Sequence, residues 1–448
     1  MQLLPNQIEF LEHCKQGRTF ALEMGEPLVV HHYDADGLSS GALVCSALKK
    51  ENKKFRRMCI KKLDDKVIDG LKDANEQEII FVDLGSGNPR VNELKKVLII
   101  DHHQPVEELK YRINAKENKF HVNPMLFGVD GGNELSAAST AFCVFQERVD
   151  LAITGAVGDM QTPLEGMNRW VLEKGIEEKE IILENDLGFY GRHTRSLVQF
   201  LAYSDDPYIP TMSYRDTRVV QLLGSLGIEL KEGERWRTYS ELNENEKKKL
   251  ISAIAEIMIK FNMQNKAKNL IGECYVFPKN EKNETYEANE FSTVLNACGR
   301  HDADEVGVAL CLKEDGAYEK AVALLQLHRK KLREGIEFAN TNMIDLGKVY
   351  LVDGRGLIDE GIIGVICGMA LQSKGKKPIL GLADGENNTL KISMRGTKQL
   401  VEDGLNLSNV LKKSCEGIGI GGGHAIAAGA SIQKDKLNEF LMRIAKEL

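Results

Sequence analysis

Four short segments in the first part of the chain end in residues able to hold a divalent cation. His32, Asp34 and Asp36 follow Val29-Val30, and Asp83 follows Ile79-Ile80-Phe81-Val82. Asp101, His102 and His103 follow Val97-Leu98-Ile99-Ile100, and Asp159 follows the apolar stretch from Ala152 to Gly158. One polar residue after a strand is ordinarily the start of a loop, but four endings restricted to Asp and His within about 130 residues are hard to assign to chance. Carboxylate oxygen and imidazole nitrogen, with no thiolate, suit Mn2+ or Mg2+ better than a structural zinc. In His32-Tyr33-Asp34-Ala35-Asp36, alternate side chains of an extended chain leave on one side, which predicts that all three converge. Two such ions about 3.5–4 Å apart polarise a phosphoryl oxygen and activate water near neutral pH, and Asp83 is expected to bridge them.

Positioning these residues requires strands that end together. PLVVHHY, FRRMCI, EIIFVDL and KVLIIDHH read as strands, LSSGALVCSALKKEN and LSAASTAFCVFQER as helices, and DLAITGAV as a strand or a buried helix. β-rich runs with intervening helices predict a parallel sheet covered on both faces. In that architecture ligands bind beyond the carboxyl ends of the strands. Gly37 and Ser39-Ser40-Gly41 open the helix after the first ligand segment, and two readings stand. One is a helix N-terminus that accepts a phosphate; the other is an Asp N-cap with a tight turn.

A chain of 448 residues exceeds what one core usually supports, so two or three domains are expected. With 42% hydrophobic and 28% charged residues, the composition is that of an ordinary globular protein. The nine cysteines contain no C-x-x-C pair and fit neither a zinc site nor a disulfide framework. The chain opens without a basic segment leading into an apolar stretch, and the apolar stretch from Gly361 to Gln372 is shorter than the ~20 residues that span a bilayer. A cytoplasmic protein with no membrane contact is the expectation. The net charge of -7 is uneven: from Gly347 to Leu448 there are 14 Lys and Arg against 11 Asp and Glu. A phosphate-facing surface is therefore sought in that last segment.

The pattern divides the chain into residues 1–188, an α/β metal-binding domain; 189–346, a mainly helical connector with an inserted portion; and 347–448, a smaller α/β domain. The last contains KVYLVDG, KKPILGLAD and TLKISMRG as strands, GIIGVICGMAL and LNLSNVLKKS as helices, then a glycine run from Gly417 to Gly423 and AIAAGASI. A dinucleotide loop should open a helix after the first strand of its unit, and this run lies near the C-terminus instead. It reads as a glycine-rich turn, whose backbone N–H groups and His424 could grip a phosphate with Arg395 as cationic partner. The basic run His328-Arg329-Lys330-Lys331 reads as a solvated helix face. For Arg192, His193 and Arg195, substrate contact and simple surface position stand level.

HYDADG, the Asp of FVDLG, the DHH of IIDHHQ and the Asp of GAVGD resemble, in order and spacing, the four motifs of the DHH phosphoesterase superfamily. GIGIGGGHAIAAGA resembles the GGGH signature of its DHH-associated C-terminal domain. The resemblance implies that His32, Asp34 and Asp83 hold one ion, and Asp36, Asp83, His102 and Asp159 the other, with Mn2+ or Mg2+ as the two ions. It makes Asp36 and Asp83 reaction-centre residues, with Asp101 and His103 beside them as orienting or phosphate-contacting groups. Leu295 to Arg300 resembles the NAxGR segment of RecJ nucleases, where the Arg is a phosphate ligand. Asn296 and Arg300 thus join Arg395, Gly421, Gly422, Gly423 and His424 as substrate-binding candidates; read by itself, Gly299 could equally be the αL cap of a helix. SDDPYIP, from Ser204 to Pro210, resembles archaeal RecJ homologues, whose best-known members associate with the GINS replication complex. Together these imply an exonuclease on single-stranded DNA and/or RNA in replication or repair. The alternatives are a DHH phosphoesterase for very short oligonucleotides, adenosine bisphosphate or a cyclic dinucleotide, and a non-catalytic replication subunit.

Overall fold

The apolar runs of the first part of the chain become the strands of one sheet. The computed structural model describes residues 3–114, 118–204, 207–374, 376–386 and 388–448. Asp205 and Asp206 of SDDPYIP lie outside the described residues. Two units, Met1–Val322 and Ala323–Leu448, are each internally packed.

The first unit begins with α1 (Pro5–Leu22), β1 (Leu28–His32), α2 (Ala35–Lys50), β2 (Arg56–Ile60), α3 (Asp65–Asp73), β3 (Glu78–Val82), β4 (Lys96–Ile100), β5 (Ile113–Asn114) and β6 (Lys119–Val122). The strand order is β2-β1-β3-β4-β6-β5, parallel except for β5, which pairs antiparallel at the edge. Leu28, Val30, Ile79, Phe81, Val97 and Ile99 pack on one face with Ile68 and Leu71 of α3. α1, α2 and α4 (Ala137–Phe145) contact the sheet, α4 packs on α1 and α2, and α5 (Val149–Gly158) packs on α2 and α4. Burial on both faces is why the strands read as unbroken Val, Ile, Leu and Phe. The ambiguous DLAITGAV is a helix, α5, buried among α2, α4 and the helices that follow. An apolar run of that length carries no periodicity that distinguishes the two states.

Next come α6 (Gly166–Glu177), β7 (Ile182–Leu187), α7 (Leu197–Ala202), α8 (Asp216–Ser225), β8 (Lys231–Glu232), β9 (Arg235–Trp236), α9 (Glu244–Lys260), α10 (Gln264–Lys268) and β10 (Ile271–Val276). β7 pairs antiparallel with β10, and the helices between them close over a core containing Phe200, Tyr239, Leu250, Ile254 and Met258. α11 (Ala288–Arg300) and α12 (Asp304–Cys311) return to pack on α2, and α11 also on α5. α13 (Ala317–Asn342) follows.

Neither reading of Arg192 holds, because its side chain is buried. Its Nε donates to Glu287 at 2.9 Å, its Nη2 to Glu184 at 2.5 Å, and Asp186 lies 3.4 Å from Nη1. It is a structural ion-network residue, a class in which a buried charge is tolerated because it is paired. His328 is likewise buried at 6% exposure, so the basic run of α13 is not uniformly a solvated face.

The second unit contains β11 (Ile344–Asp345), β12 (Tyr350–Asp353), α14 (Ile363–Lys374), β13 (Ile379–Asp384), β14 (Thr389–Arg395), α15 (Lys398–Glu402), α16 (Leu407–Ser414), β15 (Gly419–Gly423), β16 (Ala427–Gln433) and α17 (Leu437–Glu447). Its mixed sheet runs β11-β12-β13-β14-β16-β15. One face packs on α16 and α17 through Leu407, Leu411, Phe440 and Ile444; the other packs on α14 through Ile363, Ile366 and Cys367. Most of the glycine run expected as a turn is the edge strand β15, paired with β16. Mixed α/β architecture is as expected. Among the described residues, no helix is long and apolar enough to cross a membrane.

Candidate metal centre

Parallel pairing brings the carboxyl ends of β1, β3 and β4 to one edge of the first sheet, with His32 ending β1, Asp83 following β3 and Asp101 following β4. Asp159 arrives from the other direction, as the C-cap of α5. The expected alternation in HYDADG stops at His32. Asp34 is the N-cap of α2, its Oδ1 accepting from Gly37 N at 3.0 Å, and Asp36 lies inside the first turn. The helix start from Ala35 to Gly41 is buried and capped, which is the Asp-cap reading and leaves the phosphate-accepting one without support. Helical geometry therefore separates Asp34 from Asp36 and sends them to different partners.

Asp83, 3% exposed with φ of +62°, stands between those partners. Its Oδ2 is 3.3 Å from His32 Nδ1, which is itself 3.0 Å from Asp34 Oδ2. Its Oδ1 is 3.3 Å from His102 Nε2, which is 3.9 Å from Asp36 Oδ2; His102 Nδ1 lies 3.9 Å from Asp159 Oδ2. His32, Asp34 and Asp83 form one set able to hold a cation, and Asp36, His102 and Asp159 another.

The surroundings fix these groups. The Nδ1 of His102 lies 2.6 Å from the carbonyl of Gly131. Donation there leaves Nε2 as the nitrogen facing the carboxylates, so that loss of the Nε2 proton gives the tautomer a metal ligand needs. Asp36 accepts from Ala137 N at 2.8 Å and Ala138 N at 2.9 Å, at the start of α4. Gly155 of α5 allows that approach, since a Cβ there would lie 2.3 Å from Asp36 Oδ1. Asp101 is wholly buried: Oδ2 accepts from Ser86 N, and Oδ1 accepts from the backbone of His102 and lies 2.8 Å from His103 Nδ1. It is placed to orient the DHH turn, while the half-exposed His103 is the group that can reach outward. Gln161 donates to Asp159 Oδ2 at 2.9 Å and to Gly131 O at 2.8 Å. Gly131, Gln161 and the α4 amides had no signal in the sequence, since their role is fixed only by the fold.

The electrostatics call for positive charge. Burial disfavours the His32 imidazolium, yet the Asp34 and Asp83 carboxylates raise its pKa to about 12. Burial opposes His102 in the same way and the Asp83 hydrogen bond overcomes it, an upward shift. Burial, then the charge of Asp83, pushes Asp36 up; burial raises Asp159 to about 6. The Asp101 carboxylate lifts His103 to about 9. His32 Nδ1 is buried without a hydrogen-bond partner and faces two carboxylates. A hard oxygen and nitrogen donor set of this charge fits divalent cations.

Residues 27–157 match the DHH family, N-terminal domain; residues 189–271 match the DHH-CID domain and 347–448 the DHHA1 domain. The uncharacterized protein MJ0831 of Methanocaldococcus jannaschii is 33% identical over 429 residues, covering 93% of this chain and 91% of that protein. The chain belongs to the DHH family. Within the family it is RecJ-like: the single-stranded-DNA-specific exonuclease RecJ of Escherichia coli is 27% identical over 165 residues. That match spans 34% of this chain and 28% of RecJ. The fold is shared with RecJ of Thermus thermophilus in complex with Mn2+ (TM-score 0.60, 17% identity, 100% of this chain and 55% of that one). It is also shared with CDC45 of Entamoeba histolytica (TM-score 0.62, 13% identity, 98% of both chains).

The other expected residues of this DHH protein separate into two places. In the first unit, Asn296 of α11 is committed to the metal loop: its Oδ1 accepts from Ala35 N at 3.1 Å. Gly299 is not an αL cap; it is helical, and a Cβ there would lie 1.7 Å from the Tyr33 carbonyl oxygen. Arg300 ends the same helix, half-buried. In the second unit, Arg395 pairs with Ala427 and Gly423 with Ala428, so Arg395, Gly423 and His424 share one end of that sheet. Gly423 and His424 are exposed, and Gly421 and Gly422 half-buried.

Proposed function

We propose that this chain is a metal-dependent exonuclease that hydrolyses phosphodiester bonds of single-stranded DNA and/or RNA from an end, in replication or repair within the cytoplasm. The observation that carries the proposal is the division of Asp83: one oxygen faces His32 and Asp34, the other His102, with Asp36 and Asp159 behind it. That arrangement favours two ions, Mn2+ or Mg2+, sharing Asp83. Bound there, two divalent cations supply polarisation of a phosphoryl oxygen, activation of water and stabilisation of the leaving oxygen.

The chain's own groups do the rest. His103 is exposed and held by Asp101, so it can contact a substrate phosphate or pass a proton to a leaving oxygen. Asp101 fixes its orientation. Arg300, Arg395, His424 and the amides of Gly421, Gly422 and Gly423 are assigned to further phosphates, and Asn296 to the metal loop with a substrate contact through its remaining amide. Catalysis is assigned to residues 1–188, connection to 189–346 and strand holding to 347–448. A GINS-type partner is assigned to the middle segment.

The CDC45 likeness favours a second reading, a non-catalytic subunit of a replication complex. Against it, all six expected metal ligands are retained, and they fall into two clusters, His32, Asp34 and Asp83 and Asp36, His102 and Asp159, each with its ligand atoms within 4.8 Å of one another. The test is single-stranded DNA and RNA labelled at each end, incubated with Mn2+ beside blunt duplex, a dinucleotide and adenosine bisphosphate. Stepwise shortening of the single strand from one end, with the duplex intact, is the expected result. Hydrolysis of the small substrates alone supports the short-substrate phosphoesterase, and hydrolysis of none supports the non-catalytic subunit.

A further inference from the structure

Met160 follows the ligand Asp159 and is 86% exposed, the highest value among the large apolar side chains of the described residues. Single exposed apolar residues are common and by themselves require no explanation. This one combines exposure with a left-handed backbone, as Tyr214 also does, but it alone of the two adjoins a candidate metal ligand. Its φ is +57°; Met160 N donates to Val157 O at 3.1 Å and Gln161 N to Ala156 O at 3.0 Å. That is the closure of a helix through a left-handed residue, the place where glycine is preferred because a Cβ strains the left-handed conformation. Methionine here therefore disfavours the fold twice, by backbone strain and by leaving a thioether in water.

Among the described residues of the first unit, none covers the thioether enough to recover that loss. The residues on either side are held: Asp159 caps α5, and Gln161, 4% exposed, bonds to Gly131, to Asp159 and to Asn168. Met160 is thus a flexible apolar side chain on a rigid mount, one residue from a metal ligand. A nucleotide whose phosphate lies at the metal centre carries its base several ångströms away, within the reach of such a side chain. A thioether is polarisable and unbranched, makes favourable contact with aromatic rings and has no hydrogen-bond pattern to read. It would hold any of the bases, as an enzyme that removes successive nucleotides requires.

We propose that Met160 is a substrate-contacting residue whose side chain lies against the nucleobase next to the phosphate held at the metal centre, whatever that base is. The proposal rests on the nuclease reading above. Its test compares wild type, Met160→Gly and Met160→Leu on two single-stranded 20-mers that differ only in the residue at the degraded end, one with a normal base and one abasic. Wild type is expected to lose roughly tenfold in kcat/KM on the abasic end, the range of one base contact. Met160→Gly is expected to fall by the same factor on the normal strand and to become indifferent to the base. Met160→Leu should retain most of the discrimination, and the Tm of Met160→Gly should not fall. A loosened Asp159 would slow both strands equally, so equal loss on both overturns the assignment, as does no loss on the normal strand. A wild type that degrades neither strand overturns the nuclease reading itself, and this assignment with it.

Discussion

The Asp- and His-lined edge of the first unit and the glycine-rich edge of the second handle charge in opposite ways. In the first, Asp36, Asp83, Asp101 and His102 are at most 6% exposed, and backbone groups or neighbouring side chains fix each of them. In the second, Gly423 ends the edge strand β15 and His424 follows it, both exposed, at the same end of the sheet as Arg395 of β14, with β16 between the two strands. The buried set has its geometry fixed before anything binds, at the cost of like charges held together. The exposed set has little desolvation to overcome when it binds. Loss of a buried group should therefore abolish chemistry, whereas loss of an exposed one should weaken binding.

The largest expected effect is at Asp83. Asp83→Ala should reduce turnover far more than the ~100-fold typical of losing a partner behind a metal ligand. Without metal, the variant should still fold but with a lowered Tm, since His32 and His102 lose a buried carboxylate partner and alanine replaces aspartate at a φ of +62°. Turnover within tenfold of wild type under saturating Mn2+ would break the contrast.

Second in size is the pH dependence of metal binding. Burial opposes the His32 imidazolium but its carboxylate neighbours hold the pKa at about 12, so a cation must displace a proton to bind. Affinity should then weaken as pH falls, by up to about tenfold per unit for each proton displaced. Thermal stabilisation by Mn2+ should be clearly greater at pH 8 than at pH 6; equal stabilisation would contradict this charge balance.

For the exposed edge, Arg395→Ala and His424→Ala should each raise KM for a long single strand, by roughly tenfold at most, with kcat nearly unchanged. A fall in kcat at constant KM would move either residue to the reacting phosphate.

The smallest effect lies away from both edges, at Glu290 of α11, which is 1% exposed and accepts from the Thr194 hydroxyl. Burial raises its pKa to about 8. A raised carboxyl pKa gives a stability contribution that is complete below the unfolded value and is lost as pH rises through the folded one. Wild-type Tm should therefore fall by a few degrees between pH 6 and pH 9, and Glu290→Gln should flatten that decline. Parallel profiles for the two proteins would remove Glu290 as its source.

The ligand types and the strands that carry them were legible because both are local: an apolar run ending in Asp or His announces itself. What was not legible depends on contacts distant in sequence. Arg192 reads as a substrate contact or a surface cation until the segment between β10 and α11 brings Glu287 against it, 95 positions later. Gly299 reads as a helix cap until α11 crosses the Tyr33 carbonyl. The alternation drawn through HYDADG failed for a local reason, since Asp34 caps α2 and the period changes within three residues. The glycine run formed a strand because β16 supplies its hydrogen bonds, a partner that glycine, lacking a side chain, does not signal.

Whether Asp83 bridges two ions is tested most directly by electron paramagnetic resonance of the Mn2+-loaded protein. Wild type should bind two Mn2+ per chain and give the broad signal of an exchange-coupled pair, and Asp83→Ala should give only isolated Mn2+ or none. A single uncoupled ion in wild type, or coupling that survives the loss of Asp83, would contradict the bridging.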